Sequence, residues 1–219
     1  MKILIVLLTH DKYEHLINPI LNRINELEIP ENCEVDKLII TDDIQEKVIN
    51  FANVNNFPME TTSIDLSELK NYNTDPRYTT PSGFTFKTFF IVCKLRNYYL
   101  KIAREGKYDW LLQIDGDVLF PKDGLVKLFR ENKKYIGAAI ESKQGGKYVV
   151  PDKTDQNEVY ECELIGNCFH LEHSSCFDIE YTFPDNYPVC ADVEFRAKEL
   201  RKKGIKMYCH PLIKCEHLE

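Results

Sequence analysis

The sequence predicts an α/β fold with a mostly parallel central sheet flanked by helices, and three observations predict it. The chain opens on an apolar run, Lys2 to Leu8, followed by helical periodicity and a second apolar run, the start of a βαβαβ order that implies parallel strands and right-handed crossovers. A later run, Trp110-Leu-Leu-Gln-Ile-Asp-Gly-Asp-Val-Leu-Phe-Pro121, reads as a buried strand that delivers Asp115 and Asp117 at its C-terminal end. With 219 residues and 43% hydrophobic content, the chain can form one sizeable core, so 1–219 is read as a single domain.

Each element follows from local pattern. Lys2 to Leu8 is too short for a signal sequence and ends in Thr9-His10-Asp11 with no small-residue cleavage site, so it is a buried first strand. Leu16, Ile17, Ile20, Leu21, Ile24 and Leu27 recur at helical spacing, which predicts a helix over Tyr13 to Leu27. Val35 to Thr41 is a second strand ending in Asp42-Asp43, and Ile44 to Ala52 a short helix leading to a strand around Thr61 to Leu66. The Asn-, Thr- and Pro-rich stretch 71–85, with Tyr72 and Tyr78, is a loop that can shape a pocket.

A long helix, Phe86 to Arg104, stops at Gly106 and feeds the strand bearing the aspartates. Pro121 to Asn132 is helical, and Tyr135 to Ile140 is a strand. The polar, Gly- and Pro-containing stretch Glu141 to Glu158 is the predicted mobile lid. Val159 to Leu171 is strand-like, Val193 to Lys203 a helix ended by Gly204, and Ile205 to Tyr208 a last short strand. The first half, 1–120, reads as a nucleotide-binding α/β unit, and 121–219 as an addition to its sheet.

A net charge of −7 argues against a nucleic-acid-binding surface, which needs clustered Lys and Arg. No stretch is long enough to span a membrane. The 8 cysteines form no Cys-x-x-Cys pair, and they are expected as reduced thiols in a cytoplasmic protein. Leu218-Glu219 resembles a cloning scar, so the chain is read as a domain that can come from something longer.

Chemistry is expected at Asp115 and Asp117. If the backbone stays extended through Gly116, both carboxylates point one way and need a counter-charge. A divalent cation of the Mg²⁺ or Mn²⁺ type supplies it, keeping waters and taking phosphate oxygens from a substrate. An EF-hand loop is excluded by Leu119 and Phe120 at its ligand and glycine positions. A phosphatase with a nucleophilic first aspartate expects Thr or Val four residues on, where Leu119 stands.

Together these blocks resemble the GT-A glycosyltransferases, near the large family-two group that uses nucleotide sugars. The blocks are Thr9-His10-Asp11, Asp42-Asp43, Arg96-Asn97, Asp115-Gly-Asp117, and Ala191-Asp-Val-Glu-Phe-Arg196 followed by Gly204 and His217, in the family's order over essentially the full length. The resemblance implies a nucleotide diphosphate sugar donor, a glycan, protein or small-molecule acceptor, and a Mn²⁺ or Mg²⁺ cofactor. It also assigns roles. Thr9 lies near the nucleotide base, and Asp43, with Asp42 as fallback, accepts a hydrogen bond from it. Arg96 stands beside the diphosphate. Asp117 binds the metal, Asp115 contacts the ribose or a metal-bound water, and His217 completes the metal shell, with His210 a competitor. Asp192 is the general base of an inverting transfer, a position that also suits a helix N-cap.

Two departures stand out. The family's Tyr-Asn pair after the first strand is His10-Asp11 here, and its Glu-Asp pair before the last helix is Ala191-Asp192. Two rival functions remain at this point: a nucleotidyltransferase, which would want a Gly-rich basic loop after the first strand, and a nucleotide- or glycan-binding module without turnover.

Overall fold

The computed structural model describes residues 1–9, 15–41, 49–50, 52–53, 58–61, 86–140, 157–182 and 191–218. The predicted 44–52 helix for the most part, the 71–85 loop with Tyr72 and Tyr78, and nearly all of the predicted lid lie outside the described residues, as do Asp42 and Asp43.

Strand β1 (Lys2–Thr9) pairs in parallel with β2 (Glu34–Thr41) on one side and β4 (Trp110–Asp115) on the other. β3 (Met59–Thr61) extends the parallel set beyond β2. Both faces of β1 are covered: Ile3, Ile5 and Leu7 pack with helix α1 (Ile17–Asn25), while Leu4, Val6 and Leu8 pack with helix α2 (Phe86–Glu105). That is why the strand reads as a continuous apolar run rather than an alternating one.

Helix α1 begins at Ile17, not at Tyr13. Pro19 explains the later start, because its ring clashes with a helical carbonyl four residues back and its nitrogen donates no hydrogen bond. In the first turn neither matters.

Beyond β4 the sheet becomes mixed. Its order is β3-β2-β1-β4, then β8 (Phe169–His173), β6 (Tyr135–Ile140), β9 (Met207–His217) and β5 (Val118–Leu119), with β7 (Tyr160–Cys162) also on β9. β8 (Phe169–His173) runs antiparallel to both β4 and β6 (Tyr135–Ile140). The predicted 159–171 strand is thus two strands, β7 (Tyr160–Cys162) and β8, separated by an irregular stretch containing Gly166 and Asn167. Helix α3 (Gly124–Arg130) lies between β5 (Val118–Leu119) and β6, and helix α4 (Ala191–Lys202) precedes β9 (Met207–His217). Gly204 ends α4 with φ of 72°, the left-handed turn that favours glycine.

The last strand is far longer than the predicted Ile205–Tyr208. It continues past Pro211 because the ladder with β6 slips there: Ala138 faces His210, but Ala139 faces Lys214. A bulge accommodates a residue that cannot donate to a ladder. The strand then reaches β5, where His217 faces Val118. No helix among the described residues is long and apolar enough to cross a membrane.

Candidate functional site

The site lies at the C-terminal edge of β1 and β4, where parallel strands present backbone ends to a ligand. Along β4, Trp110, Leu112 and Ile114 face the α1 side, so Gln113 and Asp115 face the α2 side with Leu111. This period of two aims Asp115 at Arg96, which α2 brings in from the same face. The Arg96 guanidinium lies 3.9 Å from Asp115 Oδ2 and is buried, so it is not the surface helix residue that its position alone allows.

Gln113 Nε2 donates to Asp115 Oδ1 at 2.6 Å and also to the Asn167 carbonyl. The Tyr99 hydroxyl donates to Gln113 Oε1 at 2.8 Å. Asp115 is thereby fixed on both oxygens before any ligand arrives.

The backbone does not stay extended past Asp115. It turns at Gly116 and Asp117 before β5, so the two carboxylates do not share one strand face. They remain close enough to interact. Burial pushes the Asp115 carboxyl up to about 6; Arg96 opposes this, and the Asp117 charge adds to it. Two acids gathered in a partly dehydrated pocket are short of positive charge.

Glycine is required at the turn. A Cβ on residue 116 would sit 2.7 Å from Thr9 Oγ1 and 3.1 Å from the Leu8 carbonyl, which already accepts from the Gly116 amide at 2.7 Å. Gly116→Ala is expected to displace Thr9 or the turn and cost about 1–3 kcal/mol of stability; an unchanged melting temperature would refute this close packing. Thr9 is itself buried, and its hydroxyl has no hydrogen-bond partner among the described residues. An orphaned hydroxyl at a strand end can serve a ligand.

His217 reaches the same place through β9. Its partner across the ladder is Val118, and the Leu218 amide donates to the Asp117 carbonyl at 2.8 Å. The His217 imidazole lowers the Asp115 carboxyl electrostatically and lies 3.8 Å, Nε2 to Sγ, from Cys168. His210 is elsewhere, 3.9 Å from Glu131 beyond α3, and does not compete. Cys168 is a member of the site that composition hid. Burial and the two aspartates hold its thiol well above its usual range, and it donates a hydrogen bond to Asp115.

Asp192 is the second described residue of α4, in its first turn, and its side chain lies outside the described residues. Four residues on, Arg196 is buried and forms an ion pair with the buried Glu172 at 2.5 Å. Neither Glu172 nor Gln113 was singled out by motif, and the apolar-polar alternation of Phe169 to His173 is the only signal for the first.

The donor chemistry suits a hard divalent ion: two carboxylates, one of them with its ionised form destabilised by burial and its neighbour, and one imidazole. Among the described residues, no three His, Cys, Asp or Glu side chains stand close enough to hold an ion by themselves. An ion that keeps its waters and takes oxygens from a diphosphate needs fewer protein donors.

No protein-family profile matches the chain, and no curated protein matches it in sequence. Solved structures do match it. S. aureus TarS 1-349 in complex with UDP-GlcNAc has a TM-score of 0.64 at 12% identity, over 100% of this chain and 59% of that one. GalNAc-T7 with UDP, GalNAc and Mn²⁺ gives 0.67 at 10% identity, covering 100% of this chain and 44% of that one. The mannosyltransferase PcManGT from Pyrobaculum calidifontis, in complex with GDP-Man and Mn²⁺, gives 0.59 at 11% identity, covering 98% and 56%. The chain therefore spans about half the length of the proteins it resembles. Its fold is that of the GT-A glycosyltransferases.

Proposed function

We propose that this chain is a metal-dependent glycosyltransferase that moves a sugar from a nucleotide diphosphate sugar to the hydroxyl of a glycan, protein or small-molecule acceptor. One observation carries the reading: Arg96, Asp115, Asp117, His217 and the unpartnered Thr9 hydroxyl converge on one strand edge of this fold. The solved structures of this fold that hold UDP, UDP-GlcNAc or GDP-Man support a nucleotide sugar as donor, and those that hold Mn²⁺ support a divalent ion.

In this reading residues 1–120 hold the donor and 121–219 the acceptor. Asp117 and His217 are the residues that would hold Mn²⁺ or Mg²⁺, which would supply Lewis-acid stabilisation of the departing diphosphate. Arg96 adds a second positive charge on that side. Asp115, fixed by Gln113, faces the ribose or a metal-bound water. Thr9, with Asp43 or Asp42, serves the nucleotide base. Asp192, at a helix N-terminus that favours the ionised carboxylate, takes the acceptor proton in an inverting transfer. A reducing, cytoplasmic setting keeps the Cys168 thiol free.

A panel of UDP- and GDP-sugars, screened by thermal shift with and without Mn²⁺, tests the proposal. A true donor raises stability by roughly 2.7 kcal/mol at a hundredfold over its dissociation constant, and only with the metal present. Nucleotide release from the stabilising sugar then separates a transferase from a binding module. No stabilisation by any member, at any metal concentration, would sink the reading.

A further inference from the structure

Tyr181 belongs to no motif, yet it is buried and touches both Arg96 and Arg196. Its main chain is clamped to α2: the Tyr181 amide donates to Asn97 Oδ1 at 2.7 Å, and Asn97 Nδ2 donates back to the Tyr181 carbonyl at 2.8 Å. Asn97 follows Arg96 in sequence, so the clamp sets the ring beside that guanidinium, whose carbon lies 5.3 Å from the ring centroid. The Arg196 guanidinium carbon lies 4.3 Å from the same centroid. One ring thus contacts two buried cations, an arrangement that its quadrupole stabilises and that water screens little.

The hydroxyl does separate work. It accepts from Arg196 Nη1 at 2.8 Å and from Asn167 Nδ2 at 2.9 Å, and lies 3.4 Å from the Tyr99 hydroxyl. Tyr99 in turn holds Gln113, which holds Asp115. On the other side Arg196 stands one helical turn after Asp192 on α4, and residues four apart share a helix face.

The geometry points to Tyr181 as the positioning residue that joins the two halves of the site. Its ring keeps Arg96 against Asp115 on the diphosphate side. Its hydroxyl keeps Arg196, and with it the first turn of α4, on the acceptor side. The inference rests on the transferase reading for its kinetic consequence but not for its geometry.

Ring and hydroxyl can be removed separately. In Tyr181→Phe the ring remains, so the affinity for UDP or GDP with Mn²⁺, measured by calorimetry, should stay within about twofold of wild type. Loss of a hydrogen bond to a charged group should lower kcat about tenfold or more, with the donor KM unchanged. In Tyr181→Leu the nucleotide affinity should also fall about tenfold, the scale of a desolvated cation–π contact. A kcat for the Phe variant equal to wild type overturns the inference, as does undiminished nucleotide binding by the Leu variant. If wild type binds neither nucleotide, the transferase reading fails, and the side-chain Nε–Hε resonance of Arg96, assigned through Arg96→Lys, still decides the matter. A resonance kept in the Phe variant and shifted in the Leu variant supports the positioning role; the same resonance in all three proteins overturns it.

Discussion

Asp117→Ala should abolish sugar transfer while leaving a folded protein. In the proposed transferase, loss of the metal's hold on the diphosphate would remove several kcal/mol of charge stabilisation, which corresponds to a fall in kcat of about three orders of magnitude. The fold should survive because Asp117 repels Asp115, and its removal relieves a repulsion that adds to the burial already disfavouring the Asp115 carboxylate. The measurement is nucleotide release from the donor together with a melting curve. Turnover near the wild-type rate would remove Asp117 from the metal site. A collapsed melting temperature would mean that the turn after β4, not its charge, depends on this residue.

The second large effect falls on stability. Arg196→Met leaves the Glu172 carboxylate in the core without its partner, and breaking a buried pair in this way costs about 3–5 kcal/mol. In a chain of this size that lowers the melting temperature by roughly 6–20 °C. Adding Glu172→Gln should recover part of the loss, since the stranded charge is then gone; no recovery would show that Arg196 acts through its other contacts, to the carbonyl of Ile179 and the hydroxyl of Tyr181.

The same pair fixes the acid limb. Burial alone would raise the Glu172 carboxyl, but Arg196 and His170 outweigh it and hold it below its usual value of 4.5. A carboxyl lowered in the folded state stabilises fully above the unfolded value and loses that contribution as pH falls through the folded one. The difference in melting temperature between wild type and Glu172→Gln should therefore be constant at neutral pH and shrink only below about 4.5.

The contrast between Asp115 and Glu172 shows what a single sequence exposes. Asp115 is legible because an apolar run carries it to a strand end, and Arg96 because it lies in the preceding helix, which must cover that strand. Strand β6 and the ends of α2 could be read because their apolar patterns stop at Gly, Asp or a charged turn. Glu172 is hidden in Phe169-His-Leu-Glu-His173, whose alternation reads as one wet face. The face is instead buried beneath α4, and Arg196, from a distant segment, makes that tolerable together with the neighbouring His170. Tyr181 is hidden for the same reason, since its partners come from three separate elements. The length of β9 was hidden by Pro211, which argues against a strand unless a bulge is known to be there.

Strand β9 carries its part of the candidate site in from the far end of the sequence. Asp117 and His217 stand about a hundred residues apart, and they meet only when β9 has slipped past Pro211 and zipped onto β5. Contacts so distant in sequence form late, because the entropy of closing a long loop must be met before they stabilise anything. A chain that has paired only β1 through β4 already displays Asp115 at the strand edge, but the His217 imidazole is not yet beside it. Docking of the final strand is thus expected late in folding, and it is what seats His217 opposite Val118, next to Asp117.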